Sequence, residues 1–576
     1  MLTLPPATEA LDWTWTEIAP HYAALQARPL DAASLSDWLT DWSQLASFVS
    51  EINTRLNVNY DLDTTNAEAE RRYFGYLEGT APQVRAAENE LTKRLLATGL
   101  EPDGLAVPLR NMRAEVALFR EANLPLFTEE RKTATQYDKL VGAQTVEWEG
   151  QERPLPQMRP VFENPDRAVR ERAWWRVRER QLADRDALNE VWRQLIPIRK
   201  QIAANADCAD YREFAWKQYQ RFDYTPADCQ TFHAAIEAVV VPAVARLYER
   251  HRRRLGLDGL RPWDLTNGEW SRPAPPPGLA PLRPYSSHAE LLARTTAVFT
   301  RVDPQLGAHF DTLHHEHLLD LDNRKGKAPG GYCTYFAQAR RPFIFMNSVG
   351  QHTDIQTLLH EGGHAFHAFE SSRLPLLQQL NTPMEFNEVA SMGMEFLSGP
   401  YLAASAGGYY TEADAARART QHLEDALLFW PYMAVVDAFQ HWVYTHLDDA
   451  ADTALCDAAW QAQWMRFMPG VDWSGLEAEL VTGWHRKLHI FHVPFYYVEY
   501  GLAQLGAAQV WRNSRRNQAE AVAGYRRALA LGGTATLPQL FAAAGARFAF
   551  DAETLGQTVS LIENTLIELE GVAQHG

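Results

Sequence analysis

Apolar residues recur at three- and four-residue spacing through most of the chain, and Pro or Gly punctuates the ends of the runs, so the pattern predicts a mainly α-helical protein. Asn164 and Pro165 read as an N-cap and first-turn proline opening a long helical pattern through Trp174, Trp175, Val177, Leu188, Val191, Trp192 and Leu195. Thr225-Pro226 repeats that grammar, with Phe232, Ile236, Val239, Val240, Val244 and Leu247 on one side and Pro242 as a kink. The proline-dense segment RPAPPPGLAPLRP, ending at Pro284, cannot form a regular helix and predicts an exposed connection. The clearest β-signal follows it. There GGYCTYFAQARRPFIFMNS offers two aromatic and β-branched runs separated by Gln338 to Arg341, a small hairpin. Beyond Asp354 the pattern is helical again, with Gly532-Gly533 as a stop before two last helical segments.

At 576 residues the chain can bury a large core and predicts two lobes or more. With 46% hydrophobic and 22% charged residues it is globular in composition, and its 18 Trp can fill cores or line grooves. Seventy-two acidic against 55 basic side chains give a formal charge of −17. That field repels nucleic-acid phosphates and anionic membrane surfaces and accepts a basic or neutral substrate, so neither nucleic acid nor membrane is an expected partner. The four cysteines, Cys208, Cys229, Cys333 and Cys456, lie far apart without a C-x-x-C pair, which argues against a disulfide framework or a cysteine-bound zinc and fits a reducing compartment. The N-terminus has no basic segment followed by an apolar run, and no stretch is expected to approach the ~20 apolar residues of a membrane span. The expected location is the cytoplasm.

The chemistry concentrates at His360-Glu361-Gly362-Gly363-His364. On a helix the two histidines project from one face one turn apart, as two ligands of a single metal require. Thr353 with Gln356 predicts a capping box at the start of that helix, and Ile355, Leu358, Leu359, Phe366 and Phe369 supply its buried stripe. Each of Gly362 and Gly363 costs a helix interior about 1 kcal/mol relative to Ala, so the pair predicts that something packs against the backbone there. A catalytic zinc needs a third protein ligand. In the extended H-E-x-x-H-x-x-G-x-x-H pattern it would stand at position 370, but 367 is His and 370 is Glu, so the ligand comes from farther along. The segment NTPMEFNEVASMGMEFLSG offers Glu385, Glu388 and Glu395. Thr382, Pro383 and Glu385 predict a capping box, which gives Glu385 a structural task and leaves Glu388 and Glu395, two turns apart on one face, as ligand and outer partner in either order. The cluster His314, His315, Glu316 and His317 is a decoy, because adjacent helical residues point about 100° apart.

HEGGHAFH followed by EFNEVASMGME resembles the oligoendopeptidase F and thimet oligopeptidase family of zinc metallopeptidases. KAPGGY (Lys327 to Tyr332), PFIFMN (Pro342 to Asn347), DYTPADC (Asp223 to Cys229) and the carboxy-terminal HVPFYYVEYG extend the resemblance over about residues 200 to 570. It implies Glu388 as third ligand beside His360 and His364, one Zn²⁺ per chain, and Glu395 as the outer partner. His367, on the face of His364, then has no ligand role. The resemblance also implies that His489, Tyr497 and Tyr500 donate hydrogen bonds to the tetrahedral oxyanion, with Tyr496 and His492 as second choices of register. Gly330, Gly331 and Tyr332, beside the hairpin, are the expected substrate edge, where an extended peptide adds through main-chain hydrogen bonds, and Tyr496 is a further expected substrate contact. The implied fold is a mainly α, two-lobed helical metallopeptidase enclosing a deep substrate channel, with a small β-sheet beside the active-site helix. Its expected lobes are an N-terminal helical one over 1–205 and a catalytic one over 206–576.

The expected reaction is hydrolysis of internal bonds in short unstructured peptides, with zinc activating water and Glu361 as general base. A metallocarboxypeptidase of similar helical fold and a non-catalytic metal- and peptide-binding protein are the alternatives; Glu361, which serves no coordination purpose, favours the enzyme. Cleavage preference and oligomeric state are not written in these motifs.

Overall fold

The computed structural model describes residues 3–276 and 278–575. It is 69% helical with two small sheets, as the apolar spacing predicts. Along the chain the helices that matter to the site are α1 (Leu35–Leu62), α2 (Pro226–Ala235), α3 (His288–Val302), α4 (His352–Ser371), α5 (Met384–Ser398), α6 (Glu412–Thr445), α7 (Tyr497–Ser514) and α8 (Gln518–Leu529). The strands are β1 (Thr145–Trp148), β2 (Gln151–Pro154), β3 (Leu319–Asp322), β4 (Tyr332–Phe336) and β5 (Arg341–Ser348). The chain forms two compact units, each assembled from three separate segments. Met1–Val116, Leu282–Ala415 and Gly506–Phe548 make unit 1; Ala117–Pro281, Ala416–Leu505 and Ala549–Gly576 make unit 2. The expected boundary at residue 205 therefore falls inside unit 2. Helices associate by matching apolar faces rather than by chain order, and closing a longer loop adds little entropy cost, so contiguous lobes are not required.

In unit 1, α1 buries Trp38, Trp42, Leu45, Phe48 and Ile52 in a cluster with Tyr22, Leu91, Leu95 and Leu109. The larger sheet has the order β3-β5-β4. β4 and β5 form the expected antiparallel hairpin, in register from Tyr332↔Phe345 to Phe336↔Arg341, and Arg340 turns between them with φ 56°. β3 adds parallel to β5 on the other side. It was not foreseen because LDLD is too short and acidic to signal a strand, and the β1–β2 hairpin of unit 2 is equally brief. Central β5 is buried along most of its length, and β4 stands at the sheet edge. Ile344 donates its N–H to Leu318 O on the β3 side, so Cys333, paired with Ile344, turns its own N–H and C=O away from β5.

In unit 2, α2 continues through a π-helical turn (Ile236–Val240) into the helix Val241–Arg254. Pro242 has no N–H to give the preceding turn, and the backbone widens there. The run Pro226–Arg254 is the one helix among the described residues long and apolar enough to cross a membrane, with a hydropathy of 1.2 over its most apolar window, half of which is buried. This corrects the expectation that no such stretch exists; Pro242 divides the run in the sequence but not in space. Buried His233 and His251 give it the character of a core helix.

The two glycines of α4 sit where neighbours come closest. A Cβ on Gly362 would lie 2.6 Å from the Phe299 ring of α3, and one on Gly363 would lie 2.4 Å from Ala390 O and 2.6 Å from Ser391 Cα on α5. The second clash is with backbone, which has no rotamer to escape into. Gly363→Ala is expected to destabilise the protein by about 1–3 kcal/mol despite the better helix propensity of Ala. Denaturant unfolding checks this, and a variant more stable than wild type would refute the close-approach account.

Candidate metal centre

The helix that carries the two histidines starts earlier than the spacing predicts. Gln351 is its N-cap, and Asp354 is the capping carboxylate, accepting the N–H groups of Gln351 and Val349 at 2.8 Å each and the hydroxyl of Tyr285. Thr353 falls inside the first turn, because Asp is a stronger acceptor for orphan N–H groups than Gln356 would be. The next helix likewise lacks its expected Thr382 cap. Pro383 is the N-cap of α5, and the Thr382 hydroxyl instead lies 3.3 Å from His367 Nε2. That contact occupies His367 away from any metal. Glu385 is buried in the first turn of α5, where a carboxylate complements the helix dipole.

Crossing at Gly363, α4 and α5 bring His360, His364 and Glu388 together, with one ligand atom of each within 4.8 Å of the others. Glu388 Oε2 is 3.4 Å from His360 Nε2 and 3.7 Å from His364 Nε2. Two donors each 2.0–2.2 Å from one tetrahedral ion lie about 3.4 Å apart, so the three side chains fit a single zinc-sized cation. Glu395 lies on the opposite side of the same imidazole, 2.7 Å from His360 Nδ1. It fixes the ring with Nε2 turned to Glu388, the arrangement by which outer carboxylates orient metal-binding histidines. Ser391 donates to Glu388 Oε2 at 2.9 Å and orients that carboxylate from the following turn. The spacing alone left the order of Glu388 and Glu395 open; here each occupies its own side of His360.

Three carboxylates and two imidazoles share little water in this place, and the electrostatics follow. Burial alone favours neutral His360, but hydrogen bonds and charge from Glu388 and Glu395 raise its pKa well above the ordinary value. Such a field draws a cation. Burial pushes His364 down to about 4. Glu361 stands outside the donor set. Burial pushes its carboxyl up to about 7, against the opposing charge of His360 and a hydrogen bond from the backbone of Cys333 on β4. A carboxyl poised near neutrality beside a cation site is suited to move a proton.

The model of peptidase family M3 matches residues 161–558. This chain belongs to peptidase family M3. The M3 chain is similar over nearly its whole length to solved structures. With inhibitor-bound PZ peptidase A it shares 28% identity and a TM-score of 0.84, covering 99% of this chain and 98% of that one. With a protein assigned as oligoendopeptidase F it shares 26% identity and a TM-score of 0.83, covering 100% and 99%. An assigned oligoendopeptidase F from Bacillus anthracis, at 23% identity and a TM-score of 0.83, has the same fold over 97% of both chains. No curated protein matches the chain. The protein is thus a metallopeptidase with a helical two-domain fold.

The remaining candidate residues of this M3 peptidase fall in two places. In unit 1, Gly330 (φ 101°) and Gly331 are exposed ahead of β4, and Asn347 Nδ2 pins their loop by donating to Ala328 O at 2.9 Å and Gly330 O at 3.0 Å. Tyr332 donates to Asp61 of α1 at 2.8 Å, a partner so distant in sequence that no motif announces it. In unit 2, His489, Tyr496, Tyr497 and Tyr500 form one ring cluster with centroids 5.0–6.4 Å apart. Within it the tyrosines differ. Tyr497 is 5% exposed, enclosed by Phe429, Tyr432 and the Lys487 ammonium 3.8 Å from its ring, whereas Tyr496, Tyr500 and His489 are half-buried. Burial pushes His489 down to about 3, so its imidazole is neutral at physiological pH. His492 pairs with Asp138 at 3.0 Å. His314, His315 and His317 are exposed, as a solvated face should be. Ser391, three residues after Glu388, is the site residue that the motif does not single out, and its spacing is the one signal for it.

Because Glu395 holds the His360 ring in orientation, Glu395→Ala is expected to weaken metal affinity about 10–100-fold with little loss of fold. Chelator competition measures this; unchanged affinity would remove Glu395 from the site.

Proposed function

We propose that the protein is a zinc-dependent endopeptidase of short, unstructured oligopeptides. The observation that carries this reading is Glu361, a buried carboxyl on the helix of His360 and His364 that is outside the three-donor set of His360, His364 and Glu388. A purely structural metal site has no use for it. When bound by the three donors, zinc supplies Lewis-acid polarisation of the scissile carbonyl and lowers the pKa of water towards ~7. Glu361 takes the proton of the attacking water and passes it to the amine nitrogen as the C–N bond breaks. His489 and Tyr500, with Tyr497 or its neighbour Tyr496 completing the set, take the oxyanion-donor role that the family resemblance implies; Tyr500→Phe tests it by lowering kcat more than it raises KM.

The edge position of β4, with the C=O of Cys333 turned away from β5, supports a substrate role for that strand. A peptide extended along that edge, past Gly330, Gly331 and Tyr332, is bound through main-chain hydrogen bonds and so is read with little side-chain selectivity. The similarity to PZ peptidase A and to oligoendopeptidase F supports oligopeptides as the substrate class. We place the protein in the cytoplasm on the strength of its four cysteine thiols, none in a disulfide.

Two measurements test the proposal. Glu361→Gln is expected to retain metal and lose about 10²–10⁴-fold in kcat; full activity in this variant would remove Glu361 as the base. Mass spectrometry of products from peptides of about 5 to 20 residues is expected to show internal cuts. Successive single-residue losses from the C-terminus would make the protein a metallocarboxypeptidase, and no cleavage by metal-loaded protein would make it a binding protein.

A further inference from the structure

Unit 2 holds a second group of metal-type donors. α2 carries Cys229 and His233, and α6 carries Asp437 and His441, so each helix presents a pair four residues apart on one face. One ligand atom of each of Cys229, Asp437 and His441 lies within 4.8 Å of the others. Among the described residues, this group and His360–His364–Glu388 are the two that converge in this way.

The second group is the more enclosed. Cys229 and Asp437 are 0% exposed, His233 3% and His441 5%. Enclosure makes its unmet polar atoms significant. Asp437 Oδ1 and both ring nitrogens of His441 have no hydrogen-bond partner among the described residues, although buried polar groups are nearly always paired. His441 Nε2 stands 3.4 Å from Asp437 Oδ2, too far for a good hydrogen bond and equal to the His360–Glu388 spacing. The same oxygen is held from α2, where His233 Nε2 is 2.8 Å from Asp437 Oδ2, and His233 thereby fixes the carboxylate as an outer partner does a ligand. The cluster thus joins a buried carboxylate with one oxygen unpaired to an imidazole and a thiol whose ligand atoms converge within 4.8 Å, a donor set that a cation satisfies.

We propose that Cys229 Sγ, Asp437 and His441 bind a second, structural divalent ion, with His233 orienting Asp437. A mixed sulfur, nitrogen and oxygen set suits Zn²⁺ and excludes the hard, oxygen-seeking Ca²⁺ and Mg²⁺. Binding releases the Cys229 thiol proton to solvent and leaves the thiolate on the metal. The ion clamps α2 to α6. The cysteines show no C-x-x-C spacing because the other donors come from a helix some 200 residues on in sequence.

Elemental analysis of the purified full-length protein is expected to find two zinc per chain, one lost in His364→Ala and the other in Cys229→Ala. Cys229→Ala should retain peptidase activity and unfold at lower temperature. Protein produced with cobalt should show thiolate-to-cobalt charge-transfer absorption that survives His364→Ala and disappears in Cys229→Ala; if Cys229→Ala does not fold, the wild-type and His364→Ala spectra decide. A single zinc that His364→Ala removes, or cobalt protein without the thiolate band, overturns the second site and leaves the peptidase reading intact. Loss of activity in Glu361→Gln speaks only to the latter.

Discussion

The approach of α4 to α5 at Gly363 is the constraint on which the metal centre depends. His360 and His364 are supplied by one helix and Glu388 by the next, so the donors meet only if the two backbones come within reach. Gly363 permits this because a Cβ there would occupy the space of Ala390 O. Neighbouring groups hold the crossing from outside. Tyr525 of α8 donates its hydroxyl to Ala390 O at 2.5 Å, and Arg526 pairs with Glu370 at the end of α4 at 2.7 Å. The helix-propensity cost of two central glycines, about 1 kcal/mol each, is offset by the packing and by the metal that the crossing makes possible.

Around that crossing the carboxylates divide their labour by position. Glu388 faces the imidazole Nε2 atoms, Glu395 takes the Nδ1 of His360, and Glu361 turns toward the β4 backbone. The same residue type is suited to three tasks, ligand, orienting acceptor and base, because burial and neighbours differ at each position. Burial raises the Glu361 carboxyl while His360 and Ser391 keep Glu388 low against its own burial.

Much of this was legible in sequence because it is local. The motif helix, the hairpin and the decoy histidines rest on periods of 3.6 and 2, which short windows reveal. The two caps were misplaced by a few residues because Asp354 competed successfully with Thr353, and because Thr382 found a buried partner in His367. Such choices depend on tertiary surroundings. Other features were invisible for a related reason. The interleaved units, the Tyr332–Asp61 bond and the meeting of Cys229 with Asp437 and His441 join residues far apart in the chain, and no local spacing encodes them. The order of Glu388 and Glu395 was geometrically ambiguous in sequence, since two turns on one helix face are equivalent until the partner helix is in place.

The most direct test of the central claim is a diffraction map of anomalous scattering at the zinc edge. The account predicts a peak about 2.0–2.2 Å from His360 Nε2, His364 Nε2 and a Glu388 oxygen, with Glu395 bonded to His360 Nδ1 and outside bonding distance of the ion. A peak ligated by Glu395 in place of Glu388, or no peak between α4 and α5, would contradict it.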